Sequence, residues 1–321
     1  MQYYKSSLKV NLPSTPLFLP ELVQGQEKVM TIADPFPVSH NGNIYIFAEV
    51  EGIRITGDYF KKVGIFMFRA ESGIVCYLGE TWPEDDGEYS FPYVFLWEDY
   101  YYLMPDVNRP SRPDHKENYI YRTSAKDFPF GWSLWSNEPL NGACNITDKI
   151  IVRQSETWWL FVSDSRCGGR LLVFYSDDLS SWIPHKNSPL LRRTIFDRIV
   201  NKYISYKLYS CRPWRLGGSA IRESDHLVLP IQHAYRNKVY GEAVSFLRFN
   251  EISKQNISVQ LSKQPVFFAD GTIPWCAVAT HHVAFVFHQN EWWAAIDGFD
   301  GQVWASTIIK VDGSSFSRVN Q

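Results

Sequence analysis

The sequence predicts an all-β fold built from one hairpin used repeatedly, and three observations carry that prediction. Aromatic residues make up 16% of the 321 positions, with 12 Trp, 18 Tyr and 21 Phe, more than a helical core needs and of a kind that suits pleated, half-buried surfaces. Short apolar runs alternate with polar turns. One such pair of runs recurs five times, which is the signature of a repeat architecture.

The pattern is clearest in residues 31–49, TIADPFPVSHNGNIYIFAE. A polar start (Ala33, Asp34, Pro35) leads into an apolar run, a turn at Asn41-Gly42-Asn43, and a second run ending on Glu49. Asn-Gly between alternating apolar runs is a strong hairpin signal. Antiparallel pairing then brings Asp34 and Glu49 to the same rim.

The later copies keep this form. Residues 90–95 (SFPYVF) lead through 97–99 into 100–106 (YYYLMPD), and residues 146–148 (ITD) lead through 154–156 into 158–164 (WWLFVSD). A looser copy runs from 212–214 and 220–221 through 223–225 into 227–232, and the fifth from 281–287 through 289–291 into 292–297. Taking Asp34, Phe91, Asp148, Arg212 and His282 as equivalent gives spacings of 57, 57, 64 and 70 residues. Each interval has room for two more strands. They are read at 63–69 and 74–78, at 119–122 and 132–135, at 171–175 and 182–183, and at 243–247 and 257–261.

Four strands per unit and five units predict a single domain, 1–321, folded as a five-bladed β-propeller with blades starting near 31, 88, 145, 211 and 280. A β-sandwich also alternates, but it does not predict a hairpin of near-constant length with a polar residue at the same place five times. Residues 190–209 fit no blade and are read as a helical insertion. Residues 1–25 are read as a strap across the blades or as ring closure.

The propeller geometry gathers two rings of side chains at one channel mouth. Asp34, Phe91, Asp148, Arg212 and His282 form the inner ring, with Glu49, Asp106, Asp164, Gln232 and Asp297 beside them. Acids, an Arg and a His converging on one concavity suit a polar ligand. Each residue has an ordinary structural explanation as well: an Asp at a strand start caps backbone amides, a lone His is a hydrogen-bonded core residue, and paired Trp residues are packing.

Composition excludes several functions. A net charge of −2 and a pI near 6.5 give no broad field for nucleic acid; Arg192, Arg193, Arg198, Lys202 and Lys207 are one candidate for a local basic patch. No run approaches about 20 apolar residues and the start lacks an apolar leader core, so neither a membrane span nor a signal peptide is expected and the chain reads as cytoplasmic. Five scattered cysteines without CxxC spacing indicate neither a disulfide framework nor a zinc knuckle. GxSxG, GxGxxG, P-loop and HExxH signatures are absent.

Several stretches resemble a known superfamily. Ala33-Asp34-Pro35, Ile146-Thr147-Asp148 and residues 175–190 (YSDDLSSWIPHKNSPL) resemble the five-bladed propellers of arabinanase and β-xylosidase type glycoside hydrolases. The segments ADPFPV, SFPYVF and WWLFVSD, residues 212–218 and Tyr240-Gly241 look more specifically like the propeller domain of the glucosamine inositolphosphorylceramide transferase family, over about residues 30–300. The hydrolase resemblance implies a base at Asp34 and a modulating acid at Asp148, and it puts the general acid at or near Arg212. A guanidinium with a pKa above ~12 cannot protonate a leaving oxygen, whereas it suits a phosphate through a bidentate fork. The narrower family's Gln-Asp pair stands here as Gln232-His233.

Three functional readings follow. The first is glycosyl transfer in assembly of a cell-surface glycan or glycolipid, with Asp34 and Asp148 catalytic, Arg212 on the phosphate of a nucleotide-sugar donor, and Arg166 and Arg215 assisting. The second is a glycoside hydrolase whose acid has moved to Glu49, Glu88 or Asp164. The third is a non-catalytic glycan-binding module working beside a partner glycosyltransferase. None requires a cofactor, and the resemblance admits a divalent cation on the axis near His282.

Overall fold

The computed structural model describes residues 2–319 apart from 7, 9, 83–85, 110–115, 137–145, 165–169, 191–214 and 234–240. The helical insertion expected at 190–209 falls almost wholly outside the described residues, as do Arg166 and Arg212. Among the described residues the fold is all-β, with two short 3-10 turns, Pro20–Leu22 and Pro274–Cys276, and no α-helix. No helix among them is long and apolar enough to cross a membrane.

Five antiparallel hairpins organise the chain. Their paired strands are Gln26–His40 with Asn43–Arg54, Glu88–Trp97 with Tyr100–Asn108, Ile146–Gln154 with Thr157–Asp164, Ile221–Glu223 with His226–His233, and Val283–His288 with Glu291–Phe299. Every hairpin closes through a two-residue turn: 41–42, 98–99, 155–156, 224–225 and 289–290. Asn41, Gly42, Ser224, Asp225, Gln289 and Asn290 have positive φ, the geometry whose twist matches that of the flanking strands.

Outer strands complete the units much as read from the sequence. Tyr59–Arg69 and Ile74–Glu80 follow the first hairpin, Ile120–Ser124 and Ser133–Ser136 the second, Arg170–Ser176 and Ile183–Pro184 the third, and Ala243–Ile252 and Ile257–Ser262 the fourth. The last unit adds Trp304–Val311, which meets the first hairpin through one parallel pairing, Thr31 with Trp304. Near the N-terminus, Gln2–Tyr4 pairs parallel with Ile257–Ser262 at the outer edge of the fourth unit, and Phe18 bridges to Ser306.

Because each unit is a sheet buried on both faces, the core lies between sheets, in three clusters. Large aromatic side chains span these gaps. Phe36, Phe91, Tyr93 and His282 meet edge to face, with Phe36 4.9 Å from Phe91, 5.5 Å from Tyr93 and 4.5 Å from His282 between ring centroids. Phe36 lines an apolar cavity of about 500 Å³, while Phe91 lines a polar one of about 270 Å³. The aromatic cluster thus separates the two ends of the channel.

Between the second and third hairpins an ion pair is sunk in the protein. Lys149 Nζ contacts Asp106 Oδ1, their side chains 1% and 8% exposed, and Asp106 Oδ2 accepts from the Asp148 amide at 2.8 Å. Two charges held away from water are stable only as a pair. Lys149→Met should therefore destabilise the fold by about 3–5 kcal/mol in chemical denaturation, and adding Asp106→Asn should recover part of that loss.

Candidate functional site

The inner strands of the first three hairpins carry the same irregularity at the same place. Their register slips by one residue between Ala33 and Phe36, between Ser90 and Tyr93, and between Thr147 and Lys149. Each slip is a bulge holding a residue in the left-handed region: Asp34 at φ 50°, Phe91 at 46° and Asp148 at 52°. A non-glycine residue held there costs of order 1–3 kcal/mol, and a bulge re-aims its side chain. Here the bulges turn Asp34 and Asp148 onto the cavity.

That cavity of about 270 Å³ is lined by Asp34, Glu49, Glu51, Lys61, Asp148, Arg215, His281, Trp304, Thr31, Ala33, Ser90 and Phe91. Of the residues expected to form the site, Asp34, Glu49, Asp148 and Arg215 therefore share one wall-to-wall space. Asp106, Asp164, Gln232, His282 and Asp297 stand behind it.

The residues behind the wall hold it up. Asp297 Oδ2 accepts from the Asp34 amide at 3.1 Å, and its Oδ1 accepts from the His281 and His282 amides at 3.0 and 3.1 Å. Asp106 does the same for Asp148, Asp164 pairs with Arg170, and Gln232 donates to the Leu216 carbonyl at 2.9 Å. In the fourth hairpin Arg215 lies opposite Gln232, as Ala33 lies opposite Glu49. The position corresponding to Asp34 there is thus Leu216, and among the described residues Arg215 is the arginine that reaches the cavity.

Charges within the cavity are arranged in pairs. Arg215 grips Asp148 with a bidentate fork, Nε to Oδ2 at 2.7 Å and NH2 to Oδ1 at 2.6 Å. Lys61 Nζ lies 2.9 Å from Glu49 Oε1 and 4.0 Å from Glu51. His282 Nδ1 lies 3.2 Å from Asp34 Oδ1, and His281 Nδ1 lies 2.7 Å from Asp297 Oδ2 with its ring stacked 4.3 Å from Trp304.

These surroundings drive two neighbouring carboxyls apart. Burial acts to raise Asp34, but the His282 ring nitrogen 3.2 Å away and the positive charges around it, His281 and Arg215 among them, hold it well below the ordinary carboxylate range. Burial pushes Glu49 up to about 7, Lys61 opposing and the Asp34 charge assisting. Around neutral pH the cavity therefore holds an ionised acid beside one that keeps a proton for part of the time. Environments that split two carboxyls in this way assign a base and an acid.

Asp34, His281 and Asp297 each offer an atom within 4.8 Å of the others, close enough to share a cation. Asp297 already spends both oxygens on three amides, so a cation there would compete with the bonds that shape the wall.

A family model described as glucosamine inositolphosphorylceramide transferase 1, N-terminal, matches residues 21–299. The chain belongs to that transferase N-terminal family. The Oryza sativa subsp. japonica glucosamine inositolphosphorylceramide transferase 1 is 25% identical over 289 residues, covering 83% of this chain and 33% of the relative. The chain thus spans about a third of the length of that family member. Among solved structures, β-1,2-mannobiose phosphorylase from Listeria innocua superposes with a TM-score of 0.70 at 10% identity, over 95% of this chain and 97% of that one. The catalytic domain of Coprinopsis cinerea GH62 α-L-arabinofuranosidase gives 0.62 at 15% identity, over 94% and 98%. At such identities the likeness is one of fold, that of propeller glycoside hydrolases.

Sequence reasoning missed Lys61, His281 and Trp304 in this family member's cavity. Lys61 stands opposite Glu51 because the third strand starts at Tyr59, four residues before its apolar run. Trp304 arrives through the parallel pairing with Thr31, which only ring closure creates. His281 had a signal in the His281-His282 pair but lacked metal spacing.

His281 supplies a pH test. Burial opposes its charging, yet the Asp297 carboxylate raises its pKa from 6.5 to about 9. Its stabilising charge is fully present below pH ~6.5 and lost as pH rises through ~9, on the order of 3 kcal/mol. The melting temperature should fall across that window, and His281→Gln should flatten the fall.

Proposed function

We propose that this chain is a carbohydrate-active enzyme that transfers a glycosyl group at the polar mouth of a five-bladed propeller. Asp34 takes the proton of the attacking hydroxyl and Glu49 gives one to the leaving oxygen. The observation behind this reading is the pair itself: an ionised Asp34 and a Glu49 with a pKa of about 7 in one cavity. A general base and a general acid each contribute about 10²–10⁴-fold. The relatives' name, glucosamine inositolphosphorylceramide transferase, supports glycolipid assembly as the setting of that transfer. Water as the attacking group would make the same pair a hydrolase.

The test uses leaving-group dependence. Against a panel of p-nitrophenyl and alkyl glycosides, Glu49→Gln should slow alkyl glycosides by about 10²–10⁴-fold and spare those with the p-nitrophenolate group, which needs no proton. Asp34→Asn should slow both. In the wild type the alkaline limb should lie near pH 7, where Glu49 loses its proton. Glycan binding that survives Asp34→Asn, with no turnover of any glycoside or nucleotide sugar by the wild type, would leave a binding module instead.

Two cations on the cavity wall, Arg215 and Lys61, favour a second reading, in which the donor is a nucleotide sugar whose phosphate leaves without protonation. Uridine-diphosphate sugars should then raise the melting temperature of the wild type and leave Arg215→Ala unchanged. Protection by free oligosaccharides alone would rule this reading out.

A further inference from the structure

The cations on the cavity wall are already matched to carboxylates. Arg215 meets both oxygens of Asp148, Nε to Oδ2 at 2.7 Å and NH2 to Oδ1 at 2.6 Å. Lys61 lies 2.9 Å from Glu49 and 4.0 Å from Glu51. Among the described residues lining the cavity, the carboxyl groups of Asp34, Glu49, Glu51 and Asp148 outnumber the basic side chains of Lys61, Arg215 and His281, and the His281 ring lies 2.7 Å from Asp297 behind the wall. An entering anion therefore finds each of these positive charges with a carboxylate beside it. The Arg215 side chain is 26% exposed and that of Asp148 1%, so a ligand meets the guanidinium and not the acid behind it.

We propose that Asp148 is a specificity-determining residue of this cavity: by pairing with Arg215 it closes the guanidinium to phosphate and reserves the site for an uncharged glycosyl donor. This role rests on the glycosyl-transfer reading of the cavity and decides between the two donors considered there. Asp148 is pinned in place. Its backbone is held at φ 52° in the bulge, its amide donates to Asp106 Oδ2 at 2.8 Å, and Asp106 is itself fixed by the buried Lys149. A phosphate on Arg215 would lie against that fixed carboxylate, and like charges so placed repel strongly away from bulk water. A sugar oxygen carries no charge and accepts from a guanidinium without that repulsion. The rest of the wall, Thr31, Ala33, Ser90, Phe91 and Trp304, is uncharged as well. An uncharged donor leaves as an alcohol that needs a proton, which is the part given to Glu49.

Isothermal titration calorimetry of the full chain at pH 7 and low salt, with inorganic pyrophosphate and uridine diphosphate as probes, tests this assignment. The wild type should bind neither at millimolar concentration. Asp148→Asn removes the counter-charge and keeps the shape, so it should bind pyrophosphate at least about tenfold more tightly than the wild type. Adding Arg215→Ala should abolish that gain.

On a p-nitrophenyl glycoside that the wild type turns over, Asp148→Asn should lose about tenfold in kcat/KM, because the guanidinium is no longer held in one orientation. The opposite signs are the signature of a specificity role, since a merely structural defect would weaken both. If Asp148→Asn does not fold, Asp148→Ser takes its place, and the wild-type titrations need no variant. Micromolar binding of either anion by the wild type, lost in Arg215→Ala, would overturn the proposal in favour of a nucleotide-sugar donor. Pyrophosphate binding no tighter in Asp148→Asn than in the wild type would overturn it too. A tenfold gain for pyrophosphate in Asp148→Asn, in a protein that turns over no glycoside, would uphold the closing of Arg215 to phosphate and reject the glycosyl-transfer reading.

Discussion

The contacts of Asp297 organise the working end of this molecule. One buried carboxylate accepts from three main-chain amides, those of Asp34, His281 and His282, and lies 2.7 Å from the His281 ring. Two of those amides immediately precede the last hairpin and one belongs to the first. A single side chain therefore joins the two ends of the ring at the point where the cavity forms. Asp106 repeats the arrangement between the second and third hairpins, with Lys149 in place of the histidine. Such carboxylates satisfy amides that the bulges remove from the strand ladder, which would otherwise be left buried and unpaired.

The bulges and the aromatic cluster then divide the labour. Left-handed φ at Asp34 and Asp148 aims two carboxylates into one space, and Phe91, at the bulge of the second hairpin, lines it with them. Phe91 packs edge to face on Phe36, which in turn meets Tyr93, so an aromatic layer lies between the polar cavity and the apolar one. Burial away from water is what raises Glu49, while the neighbouring positive charges hold Asp34 down.

Much of this was legible because the repeat is local. All five two-residue turns lie where Asn41-Gly42, Glu98-Asp99, Ser155-Glu156, Ser224-Asp225 and Gln289-Asn290 suggest, and Asp34 and Glu49 meet because they share one hairpin. The fourth hairpin was harder. Its inner strand is split into Arg215–Leu216 and Ile221–Glu223 around Gly217-Gly218, so no alternation fixed its register and Arg212 was aligned where Leu216 belongs. Lys61 and Trp304 reach the site through pairings between distant strands, which no short window records. A carboxylate that caps an amide and one that meets a ligand also look the same in sequence. Only their place on the cavity wall separates Asp34 and Glu49 from Asp106, Asp164 and Asp297.

The central claim is that two carboxyls in one cavity are driven apart, Asp34 staying ionised where Glu49 still keeps a proton for part of the time near neutrality. Titration of Glu49 by carboxyl ¹³C NMR tests it most directly. A midpoint near 7, falling when Asp34→Asn removes the adjacent charge, is the predicted result. A midpoint in the ordinary glutamate range of about 4, indifferent to Asp34, would contradict the account.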